Sequence, residues 1–199
     1  MDDYSLDENR NRFSSWAAVT AARASRNCRF TRAEGFLLLR RSGLSRIGTS
    51  WDDLPDVSAF DTFHRQLRYL LCEAADELWC ATDHRFSHGV AAKLINVYLK
   101  AMYLSGVKCN RASDDVRMKA KALHPPIDRM LLAELASRDV GGRAQFWRKQ
   151  MHKGWSNFTS EDYESTIDVI QHVTGGTLWK IEKHWLGPTE SQPDAPLCR

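Results

Sequence analysis

The chain has 199 residues, of which 43% are hydrophobic and 27% charged, with a formal net charge of +3. This is enough apolar material for one core of domain size, and the charge balance is that of an ordinary globular protein. No apolar run reaches the roughly 20 residues that span a bilayer, and Met1-Asp2-Asp3-Tyr4 is acidic where a secretory signal is basic and then apolar, so no membrane partner and a cytoplasmic location are expected.

Residues 1–12 are polar and are expected to fray, residues 187–199 are expected to form a flexible tail, and the whole chain is expected to fold as a single compact helical domain. A first helix is predicted over 14–26. A second covers 31–41, with Phe36-Leu37-Leu38-Leu39, and ends at Ser42-Gly43. Residues 51–55 read as a loop. Over 59–81, Phe60, Phe63, Leu67, Leu70, Leu71, Ala74 and Leu78 recur at three- and four-residue intervals and give one apolar helix face. The segment 88–104 is apolar around most of its circumference and leaves only a stripe of Lys93, Asn96, Lys100 and Tyr103. Such a helix is central, so the stripe must face solvent, a cleft or a ligand.

Residues 105–122 read as a charged connection without periodicity. Pro125 and Pro126 precede a helix predicted over 128–137, as fits a first turn that needs no amide donors. Further helices are predicted over 145–154 and 160–173, the latter capped by a serine and followed by the break Gly175-Gly176, and 178–186 closes the fold. No strand is predicted, so the expected class is all-α.

Charge is clustered. Residues 21–48 hold seven arginines (Arg23, Arg26, Arg29, Arg32, Arg40, Arg41, Arg46) against Glu34, and 138–153 holds Arg138, Arg143, Arg148, Lys149 and Lys153 against Asp139. Local excess of this kind suits either phosphate tracking or solvated helix faces. The five cysteines, Cys28, Cys72, Cys80, Cys109 and Cys198, form no C-x-x-C pair, which fits reduced thiols. Cys80, His84 and His88 are spaced four apart, but Phe86-Ser87 and Gly89 break a helix there and no fourth ligand is near, so neither metal nor cofactor is expected.

The segment Ser87-His88-Gly89-Val90-Ala91-Ala92-Lys93-Leu94-Ile95-Asn96-Val97-Tyr98-Leu99, followed by His124-Pro125-Pro126-Ile127-Asp128-Arg129, resembles the two active-site segments of the helix-hairpin-helix DNA glycosylases. In that superfamily a hairpin of the Gly-Val-Gly-x-Lys type supplies a lysine and a later Val-Asp segment supplies an aspartate. The resemblance implies a helical glycosylase-like fold with a degenerate helix-hairpin-helix and a central cleft. Lys93 and Asp128 are its implied catalytic residues, and DNA is the implied partner. Gly89, Val90, Ala91, Lys100, Lys121, Arg129, Arg143 and Lys149 are the candidate DNA contacts, with His124, Asn96 and Trp155 as candidate pocket residues. Trp147, Phe158 and Trp179 are further rings that either stack on an extruded base or fill the core.

The match spans residues 87–135 and has departures. Ala91 stands where the second hairpin glycine would be, and the linker between Lys93 and Asp128 is long and basic. The four-cysteine iron–sulfur loop of some relatives is missing. The run Lys-x-x-Asn-x-x-Leu-Lys followed by Pro-Ile-Asp is also similar to compact bacterial glycosylases that act on modified cytosine in phage DNA. The alternatives are a non-catalytic DNA-binding module on the same scaffold, or a helical adaptor in which Lys93 and Asp128 do not meet. Alone, Pro-Ile-Asp reads first as a simple helix cap, and it is the upstream segment that changes this.

Overall fold

The computed structural model describes residues 4–25, 27–80, 85–106 and 112–185, and among them the regular structure is entirely helical. Eight α-helices form in the order α1 (Leu6–Ala22), α2 (Arg32–Arg41), α3 (Val57–Leu78), α4 (His88–Tyr103), α5 (Asp114–Ala122), α6 (Arg129–Ser137), α7 (Ala144–Lys153) and α8 (Ser160–Thr174), and a 3-10 segment (Leu178–His184) follows. No described helix is long and apolar enough to cross a membrane.

α4 is the axis of the molecule, with twelve of its sixteen residues buried. α1 and α3 pack along it, and α8 and the turn at Trp155–Asn157 close the remaining sides, while α6 pairs with α7. Val90, Ala91, Leu94, Ile95 and Tyr98 have no exposed surface. The start of α4 is fixed by Ser87, whose hydroxyl accepts from the Val90 amide, and by Gly89. The Gly89 amide donates to Phe158 O at 3.2 Å, and a Cβ at this position would lie 1.7 Å from the backbone oxygen of Trp155. Glycine is therefore required here because two backbone segments touch.

Three expectations need correction. The N-terminal stretch is helical from Leu6, where Ser5 accepts from the Glu8 amide and Asp7 and Glu8 occupy the favoured first turn. The segment after α4 contains α5, missed because its charged composition hides the burial of Lys119, whose Nζ donates to Trp51 O at 3.1 Å and pairs with Asp115. α8 is capped by Thr159 in a reciprocal box with Asp162, so Ser160 lies inside the helix. Gly175 ends α8 in the left-handed conformation (φ 62°). The expected C-terminal tail, Arg26, His84 and Cys109 lie outside the described residues.

Gly89→Ala is expected to cost about 2–3 kcal/mol, the upper range for overpacking, because the obstructing atom is backbone and cannot rotate away. Chemical denaturation of the variant measures this. A neutral result would mean that α4 and the Trp155 turn are not in contact.

Candidate functional site

Lys93 and Asp128 lie 35 positions apart in sequence and are brought together between α4 and the start of α6. Lys93 is 7% exposed. Its Nζ donates to Asp128 Oδ2 at 3.2 Å and to Ile127 O at 3.3 Å, and it sits 5.6 Å from the centre of the Trp155 ring. An ammonium on an aromatic face and two oxygens is well partnered, yet burial pushes the Lys93 amine below its ordinary pKa. The Asp128 carboxylate opposes this shift without cancelling it.

Asp128 is held on three sides. Its backbone is extended, as the N-cap of α6 requires, and Oδ1 accepts from the Leu131 amide at 2.9 Å. Oδ2 accepts from Lys93 and from the indole N–H of Trp185 at 3.1 Å. Asp128 is thus both the helix cap and the lysine's partner. Trp185 is 42% exposed and places an indole beside the pair on its solvent side. It was read from sequence only as part of the closing segment, because nothing local signals its contact with Asp128.

Asn96, one turn beyond Lys93, opens a second polar cluster. Its Nδ2 donates to Pro125 O at 2.8 Å and to the Tyr163 hydroxyl at 3.0 Å, and its Oδ1 lies 2.8 Å from His64 Nε2. The amide oxygen can only accept, so His64 carries its proton on Nε2. The Tyr163 hydroxyl donates to His124 Nδ1 at 2.9 Å, and His124 Nε2 donates to Asp61 Oδ1 at 2.9 Å. Burial pushes both imidazoles below their usual pKa, which keeps them neutral and preserves this set of tautomers. Asn96 and His124 are therefore fully engaged within the protein. Neither His64 nor Tyr163 was picked out from sequence, where each is one more residue on a helix.

The other candidates are dispersed. The amides of Gly89, Val90 and Ala91 donate to Phe158 O, Ser87 Oγ and Ser87 O, so these three residues do not offer the free donors that a phosphate-holding hairpin supplies. Lys100 is paired with Glu182. Lys121, Arg129, Arg143 and Lys149 are exposed, and Arg148 shares the outer side of α7. In the first arginine cluster, Arg23 donates to Phe30 O and Arg41 lies beside Glu77. Trp147 and Phe158 are core residues, whereas Trp155 borders Lys93. His88 packs edge-on against Tyr69, and among the described residues no group of three His, Cys, Asp or Glu is placed to hold a metal.

The Lys93–Asp128 pair joins a buried amine, displaced toward its neutral form, to a carboxylate fixed by backbone and indole donors. Such a pair can attack an electrophilic carbon and stabilise positive charge that develops there. Comparison with protein-family models, with characterised proteins and with solved structures gives no match.

Asp128→Asn keeps a capping oxygen but leaves Lys93 buried beside a neutral group. A stability loss of about 1–3 kcal/mol at neutral pH is expected, below the range for a fully buried pair because the Asp128 side chain is 23% exposed. The folded-state pKa of Lys93 lies below its unfolded value, so between the two the unfolded chain binds more protons and stability rises with pH. The deficit of Asp128→Asn should accordingly shrink as pH approaches the ordinary lysine range, and Lys93→Met combined with Asp128→Asn should recover most of it. A double-mutant cycle across pH measures both effects.

Proposed function

We propose that this protein is a DNA glycosylase of the helix-hairpin-helix type, which breaks the N-glycosidic bond of a modified or damaged base in the cytoplasm and leaves an abasic site. One observation carries the reading: the two segments that resemble the superfamily's active site, far apart in sequence, contribute a buried lysine and a helix-capping carboxylate 3.2 Å apart.

Breaking the bond places positive charge on the sugar. Asp128, pinned by Leu131 and Trp185, offers a preorganised negative charge to that transition state. Lys93, once neutral, attacks the anomeric carbon, and the base departs with the electrons of the glycosidic bond. Asp128 Oδ2 is the adjacent acceptor for the proton that Lys93 sheds. Opening of the sugar then gives an imine, from which strand cutting by elimination follows. Trp155 and Trp185 flank the pair, and the exposed Trp185 indole suits stacking on an extruded base. The exposed cations Lys121, Arg129, Arg143 and Lys149 are the candidates for phosphate contact. Modified cytosine in phage DNA, with defence as the biological role, is the narrower form of this proposal.

Borohydride is expected to trap the wild-type protein covalently on DNA containing its substrate base, and Lys93→Ala is expected to form no adduct. Base release at the wild-type rate by Lys93→Ala, with no trapping at all, would assign the chemistry to Asp128 and water. Binding without release of any base, across DNAs carrying different modifications and scored by mass spectrometry, would assign the protein to the non-catalytic module instead. Trapping should also increase with pH along a limb centred below the ordinary lysine pKa, since burial lowers that of Lys93.

Affinity for DNA should fall steeply with salt, and Arg143→Glu with Lys149→Glu should weaken binding to all sequences alike. Salt-independent binding, followed by fluorescence anisotropy, would exclude phosphate contact as its source.

A further inference from the structure

Attack by Lys93 requires a carbon within about 3–3.5 Å of its Nζ. The amine is buried, however, with Asp128 Oδ2 at 3.2 Å, Ile127 O at 3.3 Å and the face of Trp155 around it. One of the groups around the pair must therefore move before a sugar can approach.

These groups differ in how firmly they are held. Ile127 and Asp128 lead into α6, where Asp128 Oδ1 caps the helix through the Leu131 amide at 2.9 Å. Trp155 is buried in the turn whose backbone lies against Gly89. Trp185 is exposed instead. The 3-10 segment before it is anchored by the buried side chains of Leu178 and Ile181 and by the pairing of Glu182 with Lys100. Those anchors stop short of Trp185, whose backbone amide donates to Glu182 O and whose indole N–H makes one hydrogen bond, 3.1 Å long, to Asp128 Oδ2. Rotation between side-chain rotamers breaks that bond and leaves the backbone hydrogen bond and the anchors in place. The oxygen it contacts is also the one that Lys93 grips, so the indole lies directly against the reacting pair.

We propose that Trp185 is a gate on the Lys93–Asp128 pair: its indole is latched to Asp128 Oδ2 in the resting protein, and an entering nucleotide displaces it by turning the side chain outward. The proposal rests on the glycosylase reading, in which a sugar must reach Lys93. The latch is a hydrogen bond to a charged group, so it favours the closed state by roughly ten- to a hundredfold. A flat aromatic base offsets that loss by stacking on the displaced indole. The Leu131 amide keeps its hold on Oδ1 throughout, so the carboxylate stays in position when the gate opens.

Trace acetylation of the full chain with acetic anhydride tests the gate without DNA. Labelling of Lys93, followed by peptide mass spectrometry through the pH range with the exposed Lys149 as internal reference, separates two quantities. Its midpoint reports the basicity of the amine, and its plateau reports access. Trp185→Phe, which keeps a ring but cannot bond Asp128, should raise the Lys93 plateau, and Trp185→Ala should raise it by roughly tenfold or more. An unchanged plateau in folded Trp185→Phe would overturn the proposal, and that variant decides the matter if Trp185→Ala does not fold. Borohydride trapping of the wild type on DNA, together with unchanged plateaus in the variants, would remove the gate and keep the glycosylase reading. Raised plateaus with no trapping of the wild type on any DNA would keep the gate and remove the nucleotide as the ligand that opens it.

Discussion

Most of the polar stripe of α4 is buried, and the surrounding architecture is arranged to satisfy it. Lys93, Asn96 and Tyr103 are each at most 7% exposed, on a helix that packs against neighbours on nearly all sides. A lysine and an amide cannot enter such a core without partners, because unmet donors and acceptors there cost far more than surface ones. The loop before α6 supplies the carbonyls of Pro125 and Ile127 together with the Asp128 carboxylate, α8 supplies Tyr163, and α3 supplies His64. The segment around Gly48 receives the Tyr103 hydroxyl.

This requirement links the two polar sites. Lys93 and Asn96, one turn apart, both bond to the segment Pro125–Asp128, and from there one set of contacts leads to the Trp185 indole and the other to Tyr163, His124 and Asp61. At the first, burial displaces an amine toward its neutral form beside a fixed anion, an arrangement suited to attack on carbon. The second is a neutral, directionally ordered chain of imidazole, amide and phenol beside the buried Arg68 guanidinium. A substitution at Asn96 would therefore disturb both, whereas changes at Lys93 or Arg68 separate them.

The close approach at Gly89 has a functional consequence as well as a structural one. The backbone contact between α4 and the Trp155–Phe158 turn holds the Trp155 ring near the Lys93 amine, and it occupies the Gly89 amide. Exposed cations lie elsewhere, among them Arg143 and Lys149 on α7 and Arg129 beside Asp128.

By itself the sequence determined the helical class, the central position of α4 and most of the helix limits, because apolar periodicity, N-cap residues and Gly-Gly breaks act within a few residues of one another. It also singled out Lys93 and Asp128, through two short segments whose pattern resembles an active site. Tertiary structure alone decided that these two touch, that Trp185 completes the pair, and that Lys119 and Arg68 are buried despite their charge. It likewise decided that His64, Tyr163 and His124 form one network. Such facts depend on contacts between residues tens of positions apart, and in that range a charged side chain's burial is set by the partner that neutralises it rather than by its neighbours in the chain.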